Sequence, residues 1–148
     1  MKYLAIFSVI FFLTACVTAH SSVSDRQILK EVNLKYNKFK YITDEDNYGL
    51  PDYWATPEEF LAMGGGDCED YAIVKGQALL DTKQFTEEEL EVVIVFDMMG
   101  DGYHAVLRVR GVSILDNQTN EVYPFLVPWH RELYAVPYSV FRQGRGDG

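Results

Sequence analysis

Residues 64–76 read GGGDCEDYAIVKG: three glycines, a cysteine among Asp67, Glu69 and Asp70, and then an apolar helical pattern. A cysteine where a Gly-rich loop enters a helix faces the positive helix end, which lowers a thiol pKa and favours the thiolate. A thiolate becomes a nucleophile when a histidine can take and return its proton and a third group orients that histidine. The chain has three histidines. His20 lies beside the N-terminal leader, and His130, in VPWHRE, reads as a loop residue with no acidic partner in an evident register. His104, inside YHAVLRV, is therefore the candidate base. Taken singly, Cys68 reads equally as a small buried core residue and His104 as a half-buried strand histidine.

Their combination with Asp116 points toward chemistry. A three-residue hairpin loop Val109–Arg110–Gly111, with Gly111 in the left-handed conformation, pairs Arg108 with Val112, Val106 with Ile114 and His104 with Asp116. Directly opposed residues share a sheet face about 5 Å apart, close enough for a carboxylate to fix the imidazole tautomer. A two-residue loop would instead oppose His104 to Asn117, which can also orient it; Asp116 at a strand end before Asn117 also reads as a plain turn start.

The carboxylates around Cys68 work against a nucleophile, because unpaired negative charge raises a thiol pKa. They can be plain complements to the helix dipole. They can also hold a hard divalent cation that cancels the penalty. Asp67 and Glu69 project to either side of Cys68 and Asp70 to the far side, since successive helix residues turn by about 100°. Calcium accepts such clustered oxygens, with loop carbonyls and the upstream Asp52 completing the shell, although the spacing is not that of an EF-hand.

These side chains need elements to hold them. Residues 22–39 read as a helix, residues 42–55 as a loop, and TPEEFLAM as a short helix capped by Thr56, begun by Pro57 and stopped by Gly64–Gly66. A second main helix begins near Asp67 or Cys68 and runs to about Lys83; Gly76 inside it implies a close helix–sheet approach. TEEE at 86–89 resembles a capping box. EVVIVFDM (91–98) reads as a strand buried on both faces, with further strands at 103–109, 112–117 and 133–140. Helices first and antiparallel strands afterwards predict an α+β fold.

The chain has 148 residues, room for one ordinary domain. Its start, MKYLAIFSVIFFLTAC, has a lysine, then an apolar run too short to span a bilayer, as in an export signal. LTAC resembles a bacterial lipobox, which implies a signal peptide over 1–15, lipidation of Cys16 and a single domain over 16–148. Cleavage after Val17–Thr18–Ala19 would instead release an unanchored protein. Either cut leaves Cys68 as the sole thiol, excluding an internal disulfide. The formal charge of −9 argues against nucleic acid as a partner and suits divalent cations or basic partners.

The segment DYWATPEEFLAMGGGDCEDYAIVKGQALL, followed by HAVLRV and ILDN, closely resembles the bacterial transglutaminase-like cysteine peptidases, the family of LapG-type periplasmic proteases. The resemblance covers roughly residues 47–140. It implies a papain/transglutaminase-like fold with the nucleophile at a helix N-terminus packed on an antiparallel sheet. By it, Cys68 is the nucleophile, His104 the general base and acid, and Asp116 the orienting group. Calcium would be held by Asp67 and Glu69, with Asp70 and Asp52 as further candidates. Family members clip large surface adhesins and are sequestered by an inner-membrane receptor that senses cyclic-di-GMP. The expectation is a calcium-dependent, membrane-tethered cysteine endopeptidase of the bacterial envelope. Acyl transfer to amines, and a non-catalytic calcium-stabilised binding lipoprotein, are the alternatives.

Overall fold

The computed structural model describes residues 23–100 and 102–142. The leader, Cys16 and the last residues of the tail lie outside that range. Among the described residues no helix is long and apolar enough to cross a membrane.

Helix α1 spans Val23–Tyr36 and turns Leu29, Val32 and Tyr36 inward, one stripe at helical spacing. The two-residue strand β1 (Lys40–Tyr41) follows, and then α2 (Asp44–Tyr48), where the sequence reads as loop. A cap explains α2: the Thr43 hydroxyl accepts the Asp46 N–H, and Gly49 closes the turn at φ 68°. Helix α3 (Pro57–Met63) has the predicted capping box, with Thr56 and Glu59 each accepting the other's backbone N–H at 3.2 and 2.9 Å. The glycines after it do more than end it. Gly64 takes the left-handed cap, while Gly65 and Gly66 form strand β2, which pairs with β1 in parallel. A Cβ on Gly65 would overlap the Lys40 carbonyl, and one on Gly66 would overlap the Asp70 carboxylate. The loop can therefore deliver the chain to Asp67 only with glycine there.

Helix α4 (Cys68–Asp81) is the central helix, buried from Tyr71 to Gly76 and again at Leu79. Behind it lies an antiparallel sheet in the order β5-β4-β3-β6: β3 (Leu90–Asp97), β4 (Gly102–Val109), β5 (Ser113–Leu115) and β6 (His130–Pro137). Val92, Ile94, Ala105, Leu107 and Leu115 pack with α4 and α1, and Val93, Val95, Val106 and Ile114 form a second cluster with Tyr123 and Leu126. The inner strand β3 is thus apolar on both faces, as its unbroken β-branched run predicts.

Two expectations change in detail. Gly76 does mark a close approach, but the neighbour is the ring of Tyr138, just beyond β6, whose hydroxyl donates to the Ile73 carbonyl at 2.6 Å. The hairpin loop is Arg110–Gly111–Val112, with Arg110 and Gly111 both at positive φ, so Arg108 faces Ile114 and Leu107 faces Leu115. The pairing is displaced by two residues from the predicted register. Because side chains alternate with period two, that slip leaves His104 and Asp116 on the same side of the sheet.

Candidate active site

Asp116 directly follows β5 and His104 lies near the start of β4; both are about 5 % exposed, and His104 Nε2 lies 2.9 Å from Asp116 Oδ1. The bond follows from the register: the two residues sit diagonally across the pair, within reach of a long side chain. Asp116 is also held from behind. Its Oδ1 accepts the Gln118 N–H at 2.9 Å, and Asn37, the residue just after α1, donates to its backbone carbonyl at 2.9 Å. Burial alone would raise the Asp116 pKa, but the hydrogen bond and charge of His104, with the Gln118 N–H, hold it below the usual carboxylate value. An ionised Asp116 can only accept, so the neutral imidazole carries its proton on Nε2 and leaves Nδ1 free to take one.

Cys68 is the first residue of α4 and lines, with His104, Ala105, Tyr103, Trp54, Tyr41 and Tyr134, a cleft of about 590 Å³. The Ala105 N–H points at its sulfur, which ties the thiol to the strand bearing His104. The expected lowering of the thiol pKa is not what the protein alone produces. Burial pushes it up, and Glu69 pushes it further, by charge and by accepting the thiol at 3.2 Å; the Ala105 N–H opposes them. The helix end is outweighed by burial of the thiol and then by the acids of the first turn.

Those acids form one cluster. Asp67 and Glu69 flank the thiol, and Asp52 joins Asp44 and Glu69 with ligand oxygens within 4.8 Å of one another. Asp44 and Asp67 are likewise within that distance of Asp70. Asp44 was not expected there, because 42–55 reads as loop. Thr43 followed by Asp44, Glu45 and Asp46 is nevertheless a capped helix start, and that signal could have found it. Burial, then neighbouring negative charge, raises Asp44 to about 6. Burial, then the hydrogen bond and charge of Glu69, raises Asp67 to about 9. Burial raises Asp70 to about 7 against the pull of the Ala55 N–H, and it raises Glu69 as well. Asp70 is the most committed to protein contacts, accepting from Ala55 N–H at 2.7 Å and Asp67 N–H at 3.3 Å. Asp52 accepts the Trp54 indole N–H at 3.0 Å. Asp44 Oδ1 and Asp67 Oδ1 are buried with no hydrogen-bond partner among the described residues. Buried, mutually repelling hard oxygens with orphaned lone pairs fit a divalent cation of the calcium type.

His130 is the residue the sequence placed least well. It opens β6 opposite Asp97, is buried, and lies with its ring centroid 5.4 Å from that of His104. Its loop-like context, with a proline two residues before it, hid the strand start.

Comparison with known proteins agrees with this architecture. Residues 14–137 match the family described as bacterial transglutaminase-like cysteine proteinase BTLCP. Calcium-bound LapG of Legionella pneumophila is similar with a TM-score of 0.67 and 29 % identity, over 74 % of this chain and 64 % of that one. EGTA-treated LapG of the same organism gives 0.66 and 29 %, over 74 % and 62 %. The chain thus spans a little under two thirds of the LapG structures it matches. No curated protein matches it. With a thiol at a helix N-terminus, a buried His–Asp pair on the facing strands and a family match over most of its length, this chain belongs to the bacterial transglutaminase-like cysteine proteinases and has their papain/transglutaminase-like fold.

Proposed function

We propose that the chain is a calcium-dependent cysteine endopeptidase acting on a protein of the bacterial envelope. The observation that carries this is the buried His104 Nε2–Asp116 Oδ1 contact of 2.9 Å opening on the same cleft as Cys68. Cys68 Sγ attacks the scissile carbonyl carbon as His104 Nδ1 takes the thiol proton. The C–N bond breaks when the imidazolium returns that proton to the leaving amine. Water then attacks the thioester, gives a proton through His104, and releases the acid with Cys68 restored. Asp116 keeps Nε2 protonated and stabilises the imidazolium. The backbone N–H of Cys68 is the candidate donor to the oxyanion.

Asp44, Asp67, Glu69 and Asp52 would hold the calcium ion, with Asp70 bracing them through its backbone bonds. When bound, the ion supplies positive charge against the carboxylates that otherwise keep the thiol protonated. The two orphaned oxygens, and the calcium-bound LapG relative, support this part of the reading. The cleft wall of Tyr41, Trp54, Tyr103 and Tyr134 beside acidic residues suits an extended peptide with apolar side chains. A large surface adhesin is the first substrate to try, and a cyclic-di-GMP-sensing inner-membrane receptor the first regulator. Export and tethering through Cys16 belong to the same proposal, supported by the order of charge, apolar run and LTAC in residues 2–16.

The test uses purified protein and an envelope-protein substrate. C68A and H104A should each abolish calcium-dependent cleavage while the circular dichroism stays native. Wild-type turnover in either variant would overturn the assignment. Product masses separate hydrolysis from transfer to an amine, and a folded wild type that cleaves nothing and alkylates slowly with or without calcium would make the binding-lipoprotein reading the better one.

A further inference from the structure

His130 is 7 % exposed, and neither ring nitrogen has a hydrogen-bond partner among the described residues. Leaving both imidazole nitrogens unsatisfied in the interior is costly, so such a group calls for an explanation. The catalytic scheme above does not use it. Yet ligand atoms of His130, His104 and Asp116, all three residues buried, lie within 4.8 Å of one another. Two imidazoles and a carboxylate form a donor set unlike the all-oxygen cluster beside Cys68. Nitrogen-rich sites of this kind take zinc, whereas calcium takes oxygens.

We infer that His104, Asp116 and His130 form a second metal site, selective for zinc, whose occupation switches the peptidase off. The inference rests on the reading of His104 as the general base. Zinc needs ligand atoms at about 2.0–2.2 Å from the metal, so the three side chains have only to draw together modestly, with water as the fourth ligand. Both imidazoles bind as neutral bases and Asp116 as the carboxylate, leaving one net positive charge in the site. If zinc takes His104 Nε2, the proton there is released and the neutral ring must carry its hydrogen on Nδ1, where it can no longer accept from Cys68. If zinc takes Nδ1, that nitrogen is blocked outright. Either way His104 leaves the proton-transfer path with Cys68 unmodified, so the effect is reversible. The two clusters would then oppose each other: hard cations at the acid cluster favour the thiolate, and a borderline metal at the His–Asp–His cluster removes its base.

Thiolates also bind zinc, so the test first removes Cys68. C68A saturated with calcium is titrated with zinc chloride in a calorimeter. The expected result is one equivalent bound, with affinity lowered tenfold or more in C68A/H130Q and in C68A/H130F, which keeps an aromatic ring but offers no donor. Failure of C68A to bind zinc would overturn the inference. So would binding indifferent to both His130 substitutions, because the metal would then sit at the acid cluster. If the double variants do not fold, cobalt(II) added to calcium-loaded C68A gives the decision: intense tetrahedral d–d bands support a nitrogen-rich site, and weak octahedral bands overturn it. Inhibition is then read in the wild type as loss of turnover on adding zinc, reversed by a zinc-selective chelator that leaves calcium bound. Because zinc binding to C68A needs no peptidase activity, the metal site can fail or stand apart from the proposed reaction.

Discussion

At the scale of single residues, Asp116 sets the tautomer of His104. Its carboxylate accepts at Nε2, and the bond at 2.9 Å is buried enough to feel little competition from water. D116A should therefore leave Cys68 in place while lowering kcat by roughly 10²–10⁴-fold, the usual worth of a positioned acid–base group. A kcat within a factor of about two of wild type would show that His104 is oriented by something else. Asp44 matters for a different reason. It carries an oxygen with no partner and is crowded by Asp52, so its carboxylate is a liability unless a cation offsets it. D44N should weaken calcium binding about tenfold or more, since ligand charge count sets affinity in such sites. Isothermal titration of both proteins checks this, and an unchanged affinity would take Asp44 out of the ligand set.

At the scale of elements, α4 carries the thiol at its N-terminus and presses its middle against the Tyr138 ring. Gly76 makes that approach possible, because any Cβ there would run into the ring carbons. G76A should improve intrinsic helix propensity by roughly 1 kcal/mol and yet lower stability by about 1–3 kcal/mol, because overpacking against a buried aromatic outweighs propensity. The denaturant midpoint gives the sign. A midpoint above wild type would mean that Tyr138 yields without cost. The loop after β5 is bridged to that strand by Tyr123 and Ile114, and its first part is held by the end of α1: Asn33 and Asn37 donate to backbone carbonyls at Asp116, Thr119 and Glu121. The orientation of Asp116 thus depends on the packing of the first helix, which contributes no side chain to the cleft.

At the scale of the whole molecule, Lys75 links these layers. It is fully buried in α4, donates to Asn33 Oδ1 at 2.8 Å, and its pKa is pulled down to about 7 by burial against the opposing charge of Asp116. In the unfolded chain a lysine titrates near about 10.4. Between those values the unfolded chain holds a proton that the folded chain lacks, so this group makes stability rise with pH from about 7 to about 10. Below pH 7 both states are protonated and the contribution is flat. K75M should remove that rise, which denaturant unfolding of both proteins across the range would show. Equal slopes would mean that Lys75 stays charged in the fold.

Much of this molecule is legible along the chain because it depends on local rules. The capping box at Thr56, the doubly buried strand at 90–97, the thiol at the start of α4 and the pairing of His104 with Asp116 follow from period, cap and hairpin parity. Even the wrong hairpin register kept the His–Asp pair, since a slip of two residues preserves the face. What depends on burial and on distant neighbours was hidden. Asp44 reaches the acid cluster only because α2 sets it beside Asp67 and Asp70, and the thiol pKa rises because burial desolvates the thiol, with Glu69 beside it. His130 meets His104 because β6 crosses the sheet to pair with the far side of β3. Local propensity and side-chain alternation are encoded residue by residue; desolvation and the meeting of residues distant in sequence exist only once the chain has closed on itself.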